Sequence, residues 1–130
     1  MLKPSQAAWW PFNLSLSLSS KVTAQPTQVP TITVAALAQR LPQQPTAQLV
    51  DVREAPELRQ LPLHGLTALH IPLGQLPQQL HLLQPDQPLY LFCQAGIRSG
   101  LAQAYLRQHG FPHATNVLGG ALAWAALVQP

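Results

Sequence analysis

From residue 31 onward the apolar positions follow two alternating rhythms, one near 3.6 residues and one of short continuous runs. The stretch TVAALAQRLPQQP (33–45) has the helical spacing, with Val34, Leu37, Ala38 and Leu41 on one face, Thr33 as a cap and Pro42 as a stop. QLVDVRE (48–54) is a short apolar run and predicts a strand with Asp51 near its end. PELRQL starts a helix at Pro56, a residue the first helical turn tolerates. ALHIPL (68–73) predicts a second strand, and LPQQLHLL (76–83) a helix with Leu76, Leu80 and Leu83 on one side. PLYLFC (88–93) is the most strand-like run and delivers Cys93 at its carboxyl end. SGLAQAYLRQHG (99–110) predicts a helix capped by Ser99 and ended by Gly110. ATNVLGG and ALAWAALV then predict a last strand, a turn and a terminal helix. Strands that alternate with helices imply an α/β fold, a parallel central sheet flanked by helices on both faces.

Residues 1–30 break this rhythm. They contain no acidic residue and end in the Pro-punctuated QPTQVP, so they are expected to form an extension or linker before a domain spanning 31–130. Within them LSLSLS (14–19) alternates as a short strand would, and Trp9, Trp10 and Phe12 are candidates to pin the extension to a surface. Lys3, the apolar stretch from Ala7 to Leu18 and Val22-Thr23-Ala24 resemble a secretory leader, which makes export the alternative to a cytoplasmic location. Pro11, Asn13 and the serines dilute that apolar region. The Asn13-Leu14-Ser15 sequon reads as chance.

Composition narrows the function. Charged residues make up 8% of the 130-residue chain, and its net charge of +3 reflects scarce acids rather than abundant bases. Asp51, Glu54, Glu57 and Asp86 are the only carboxylates, and the seven basic residues are scattered. Without a basic stripe or interleaved aromatics, no nucleic-acid partner is expected. No run of 18 apolar residues occurs, so no membrane span is expected. A single cysteine excludes an intrachain disulfide and a multi-cysteine zinc site. His70, His81, His109 and His113 lack metal-ligand spacing, so no metal site is expected.

The candidate chemistry lies in FCQAGIRS (92–99). A buried structural cysteine is the simplest reading of a lone thiol, but this loop has other properties. Gln94, Ala95, Gly96, Ile97 and Arg98 sit between a strand and a helix, and Gly96 is free to adopt a positive φ. Such a loop turns successive N–H groups inward as an anion nest, and the following helix adds its positive end. With Arg98 beside it, a thiolate is stabilised and its pKa falls below the free value of about 8.5. The loop therefore reads as a nucleophile in an anion pocket.

Cys93 and Arg98 bracket four residues, and this loop resembles the Cys-x-x-Gly-x-Arg active-site loop of the rhodanese family of sulfurtransferases. LVDVRE (49–54), LHIPLGQL (69–76) and GFPHATNVLGGALAW (110–124) resemble three further family segments, in the family's order, so the resemblance covers residues 31 to about 128. LPLHGLT (61–67) departs from it, with His64-Gly65 only approximating the family's His-Ile-Pro-Gly-Ala. The resemblance implies a rhodanese-like fold of the single-domain type. It also implies a mechanism: the Cys93 thiolate takes sulfane sulfur from thiosulfate or a persulfide donor, and the Cys93 persulfide passes it to cyanide, a thiol or a sulfur-carrier protein. No cofactor is needed. Arg98 would orient the anionic donor, Gln94, Ala95, Gly96, Ile97 and Ser99 would line its site, and Asp51 and Arg53 would support the floor or form a plain structural pair. Gly119-Gly120 serve a tight turn that lies near the site in the family, and Trp124 reads as core packing. Two other functions compete. A phosphatase of related fold would need a Cys–Arg loop one residue longer, and a non-catalytic partner-binding module has no need of the cysteine.

Overall fold

Why Cys93 emerges where it does follows from strand order. A computed structural model describes residues 29–129. Five strands, β1 (Thr31–Ile32), β2 (Gln48–Asp51), β3 (Leu69–His70), β4 (Leu89–Phe92) and β5 (Ala114–Val117), form one sheet in the order β1-β5-β4-β2-β3. Every pairing is parallel. Strand β4 is central, between β2 and β5, and all four of its residues are buried. Its pleat explains the unbroken apolar run: Leu89, Leu91 and Cys93 face one core, and Tyr90 and Phe92 face the other.

Helices α1 (Val34–Arg40), α2 (Ala55–Gln60), α3 (Ile97–Gln108) and α4 (Gly120–Val128) complete the layers. On one face Ala102, Tyr105 and Leu106 of α3 pack with Val50, Ile71 and Leu91. On the other, Leu37 of α1 and Trp124 of α4 pack with Ile32, Tyr90, Phe92 and Val117. The expected α/β architecture, with both faces of a parallel sheet covered, is what forms. Thr33 caps α1 as expected, its hydroxyl accepting from the Ala36 N–H at 3.1 Å.

Two expectations need correction, and one element was not foreseen. Residues 76–83 do not form an α-helix: Leu73–Gln78 and Leu80–Leu82 are separate 3-10 turns, because Pro77 lies within the first and supplies no N–H. Leu76 and Leu83 are nevertheless buried in the core. Ser99 does not cap α3. The helix starts at Ile97, and Gly96 occupies the cap position with φ 104°. Thr31-Ile32, two β-branched residues to which the sequence pattern assigns no element, form an edge strand paired to β5. The possible LSLSLS strand, the leader-like stretch and the Trp9, Trp10 and Phe12 anchors lie outside the described residues. Among the described residues no helix is long and apolar enough to cross a membrane.

Candidate active site

The chain crosses from β2 to its neighbour β3 and then returns to β4 and β5 on the other side, so a crevice opens at the carboxyl ends of the central strands. Cys93 is the first residue past β4, and its side chain is 1% exposed. The loop that follows turns back over the sulfur. The Gly96 N–H donates to Cys93 Sγ at 3.0 Å, and the Ser99 hydroxyl lies 3.2 Å from the same atom. The N–H groups of Ser99 and Ala95 also point at it. Burial works against the thiolate, but the Ser99 hydroxyl and these N–H groups outweigh it and hold the thiol below its ordinary pKa.

Gly96 makes the turn possible. Its φ of 104° lies in the left-handed region, and a Cβ there would stand 3.2 Å from the Gly119 N. Gly119-Gly120 do more than close a turn: they bring α4 against the back of the cysteine loop. The Ala121 N–H donates to Cys93 O at 2.8 Å and the Leu122 N–H to Gln94 O at 3.1 Å. A Cβ on Gly120 would stand 2.3 Å from Cys93 O, so only glycine fits.

A buried ion pair reaches the loop through Gln94. Asp51 and Arg53, 2% and 0% exposed, meet through Arg53 Nη2 to Oδ2 at 2.8 Å and Nε to Oδ1 at 3.0 Å. The remaining Arg53 nitrogen, Nη1, donates to Leu61 O at 2.9 Å, Gln94 Oε1 at 3.0 Å and Glu57 O at 3.2 Å. Arg53 thus ties β2, α2 and the cysteine loop together. Gln94 is held from both ends, by Arg53 on its side chain and α4 on its carbonyl. His70 Nε2 lies 2.6 Å from Arg53 O.

Arg98 lies at the mouth with its fork on Glu57, at 2.8 and 2.6 Å. That contact, with the Glu54 N–H, holds the Glu57 carboxyl at about 2, and Glu57 in turn raises Arg98. Glu57 escaped the reading of the sequence as a site residue. Its signal was local: Glu54 and Glu57 form the capping box of α2, and that helix carries Glu57 to the Cys93 loop. Ala95 and Ile97 are exposed, Ile97 at 77%, and of the two it is the Ala95 backbone that is turned to the sulfur. Trp124 packs in the core and also donates its indole N–H to His64 O at 2.8 Å, which pins the 61–67 segment to α4. Asn116, also missed, lies behind Ser99 with its Oδ1 2.6 Å from the hydroxyl.

A sulfur in a ring of donors, beside an arginine at the carboxyl end of a central parallel strand, is equipped to act as a nucleophile toward an anionic or sulfur-bearing partner. A family model described as rhodanese-like domain matches residues 33–127. Protein YqhL of Bacillus subtilis, described as uncharacterized, is 41% identical over 83 residues; the match covers 64% of this chain and just under two thirds, 64%, of that relative. A protein named sulfurtransferase from Allochromatium vinosum is 35% identical over 89 residues, covering 68% of this chain and 81% of its own. The crystal structure of a rhodanese-like domain protein from Staphylococcus aureus superposes with a TM-score of 0.67 at 31% identity, covering 74% of this chain and 91% of that one.

Proposed function

The chain belongs to the rhodanese-like domain family, and from that premise we propose that it is a sulfurtransferase working through a persulfide on Cys93. The observation that carries this reading is the sulfur's cradle: a glycine N–H at 3.0 Å and a serine hydroxyl at 3.2 Å converge on the one cysteine of the chain. The Cys93 thiolate attacks the outer sulfur of thiosulfate. A Cys93–sulfur bond forms, the donor's sulfur–sulfur bond breaks, and sulfite leaves with the bonding pair. A persulfide donor reacts likewise and leaves as a thiolate. The terminal sulfur of the Cys93 persulfide then sits where the loop N–H groups can accept its charge. An acceptor thiolate or cyanide attacks that terminal sulfur and regenerates the Cys93 thiolate. The Allochromatium vinosum relative's name supports sulfur transfer, and a carrier-protein thiol is a further acceptor of the right chemistry. Arg98 orients anionic donors, Gln94 through Ser99 line the pocket, and Asp51 with Arg53 hold its floor. A working free thiol suits a reducing compartment, so the cytoplasm is the proposed location.

Intact mass after incubation with thiosulfate tests this directly. The protein should gain one sulfur atom, lose it on addition of cyanide, and gain nothing as Cys93→Ser. A Cys93→Ser protein with near-native thiosulfate:cyanide turnover would refute the mechanism. Hydrolysis of a phosphate ester without any sulfur gain would move the site to phosphatase chemistry, and a folded protein inert in both assays would make it a binding module.

A further inference from the structure

The network behind the sulfur contains a competition for one proton. Ser99 is fully buried, with its hydroxyl oxygen 3.2 Å from Cys93 Sγ and 2.6 Å from Asn116 Oδ1. Asn116 is 8% exposed, and its other end fixes which way its amide faces. Nδ2 donates to Gly96 O at 3.0 Å. A carbonyl only accepts, so the amide nitrogen belongs on the Gly96 side and the amide oxygen on the Ser99 side.

The Ser99 hydroxyl has a single proton. At 2.6 Å from an amide oxygen that proton lies on the Asn116 bond, and Ser99 Oγ then offers the sulfur a lone pair. This arrangement suits a neutral thiol: Cys93 S–H donates to Ser99 Oγ, and Ser99 O–H donates to Asn116 Oδ1. A thiolate requires the reverse. When the thiol proton leaves to water, the Ser99 proton turns to the sulfur and Asn116 Oδ1 loses its donor while still buried.

We propose that Asn116 is a positioning residue that holds the Ser99 hydroxyl proton and thereby opposes ionisation of Cys93. It rests on the reading of Cys93 as a nucleophile. Asn116 acts against the loop N–H groups, so the resting sulfur stays closer to a protonated thiol than the cradle alone would make it. The charged groups around the site are already engaged elsewhere. Arg98 of α3 is paired with Glu57 of α2, whose capping residue is Glu54. Arg53 and Asp51 at the end of β2 are paired with each other, and His70 of β3 faces Arg53 O. Strand β5 and helix α4 carry no titratable side chain. Ser99 and Asn116 are therefore the uncharged pair that adjusts the sulfur.

The measurement is the pH dependence of Cys93 alkylation by iodoacetamide in the full chain. Asn116→Ala should lower the midpoint by about half to one pH unit, the scale of one hydrogen bond. Ser99→Ala should raise it, and Asn116→Ala in the Ser99→Ala background should add nothing, because the effect runs through the hydroxyl. A merely structural Asn116 would loosen the loop at Gly96 and raise the midpoint instead. A rise, no change, or an equal shift with and without Ser99 overturns the proposal. The native protein gives a check that needs no folded Asn116 variant. Its one S–H stretch should be lowered in frequency by donation to Ser99 Oγ and return to the free-thiol position in Ser99→Ala. An unshifted native S–H band overturns the proposal. Alkylation needs no sulfur donor, so absence of the mass gain would refute sulfur transfer while leaving the alkylation shift in place.

Discussion

Two arginine–carboxylate pairs serve the same loop and sit in opposite surroundings. Arg53–Asp51 lies under the loop with neither side chain more than 2% exposed, and Arg98–Glu57 lies at its mouth with the two side chains 35% and 30% exposed. The buried guanidinium makes bonds to Asp51, Gln94 and the carbonyls of Glu57 and Leu61. The exposed one has its fork on a single carboxylate. In the interior, desolvation makes a lost partner costly, so the pair and its carbonyls act as one fixed bracket. At the surface, water and salt stand in for a partner, so a pair of the same chemistry is free to exchange Glu57 for a ligand. On the proposed mechanism, the first would set where the loop stands and the second what approaches it.

The largest expected effect comes from breaking the bracket. Arg53→Ala leaves Asp51 buried without its cation and should cost about 3–5 kcal/mol, read as a lower urea midpoint with an unchanged slope. Replacing both residues with apolar ones of similar volume should recover much of that stability. It should not recover sulfur transfer, because Gln94 still lacks its Arg53 donor. Full activity in the double variant would show that the bracket does not position the loop.

Gly120→Ala comes next and probes the loop's other buried support. Its Cβ would meet Cys93 O at 2.3 Å, so α4 or the loop must move, and the Ala121 bond to that carbonyl must lengthen. Transfer should fall about tenfold or more, on the scale of a displaced reacting group. An unchanged rate, with the protein folded, would show that the loop holds its shape without α4.

The mouth should respond in specificity more than in stability. Arg98→Ala should raise KM for thiosulfate several-fold more than KM for an uncharged persulfide donor, and should raise the alkylation midpoint of Cys93. Arg98→Lys should recover only part. Glu57→Gln should act oppositely on thiosulfate KM, because it frees the fork and removes a negative charge. If neither variant alters the preference between donors, Arg98 serves only its pair.

The smallest effect is the mouth pair's share of acid stability. Glu57 is held at about 2 against an ordinary 4.5. A lowered carboxyl stabilises the fold fully above its unfolded value, and that contribution fades as pH drops through the folded one. The stability difference between native protein and Glu57→Gln should thus be constant above about pH 4.5–5 and shrink toward pH 2. Partial exposure limits it to about 0.2–1 kcal/mol. A difference that persists below pH 2 would assign the stabilisation to the capping box instead.

Much of this was legible in the linear sequence because it depends on local periodicity. The unbroken run at 88–93 marked a strand buried on both faces and placed Cys93 at its carboxyl end, and Gly96 announced a turn that needs positive φ. Thr33 and the alternation of strands with helices fixed one cap and the layered class. Signals that rest on a single residue were weaker. Ser99 has a cap's chemistry, but the left-handed Gly96 starts the helix earlier, and the hydroxyl is spent on the sulfur and on Asn116. The leucine spacing at 76–83 is helical, yet Pro77 denies the segment its ladder. Beyond that, contacts between distant residues decided the outcome. Glu57 finds Arg98 41 positions away, Asn116 reaches back 17 to Ser99, and Gly120 earns its place only against Cys93 O. Local sequence determined most of the elements and where the one thiol emerges. Only tertiary packing determined which polar groups surround its sulfur, because donors and acceptors buried together must find partners across the fold wherever the chain brings them.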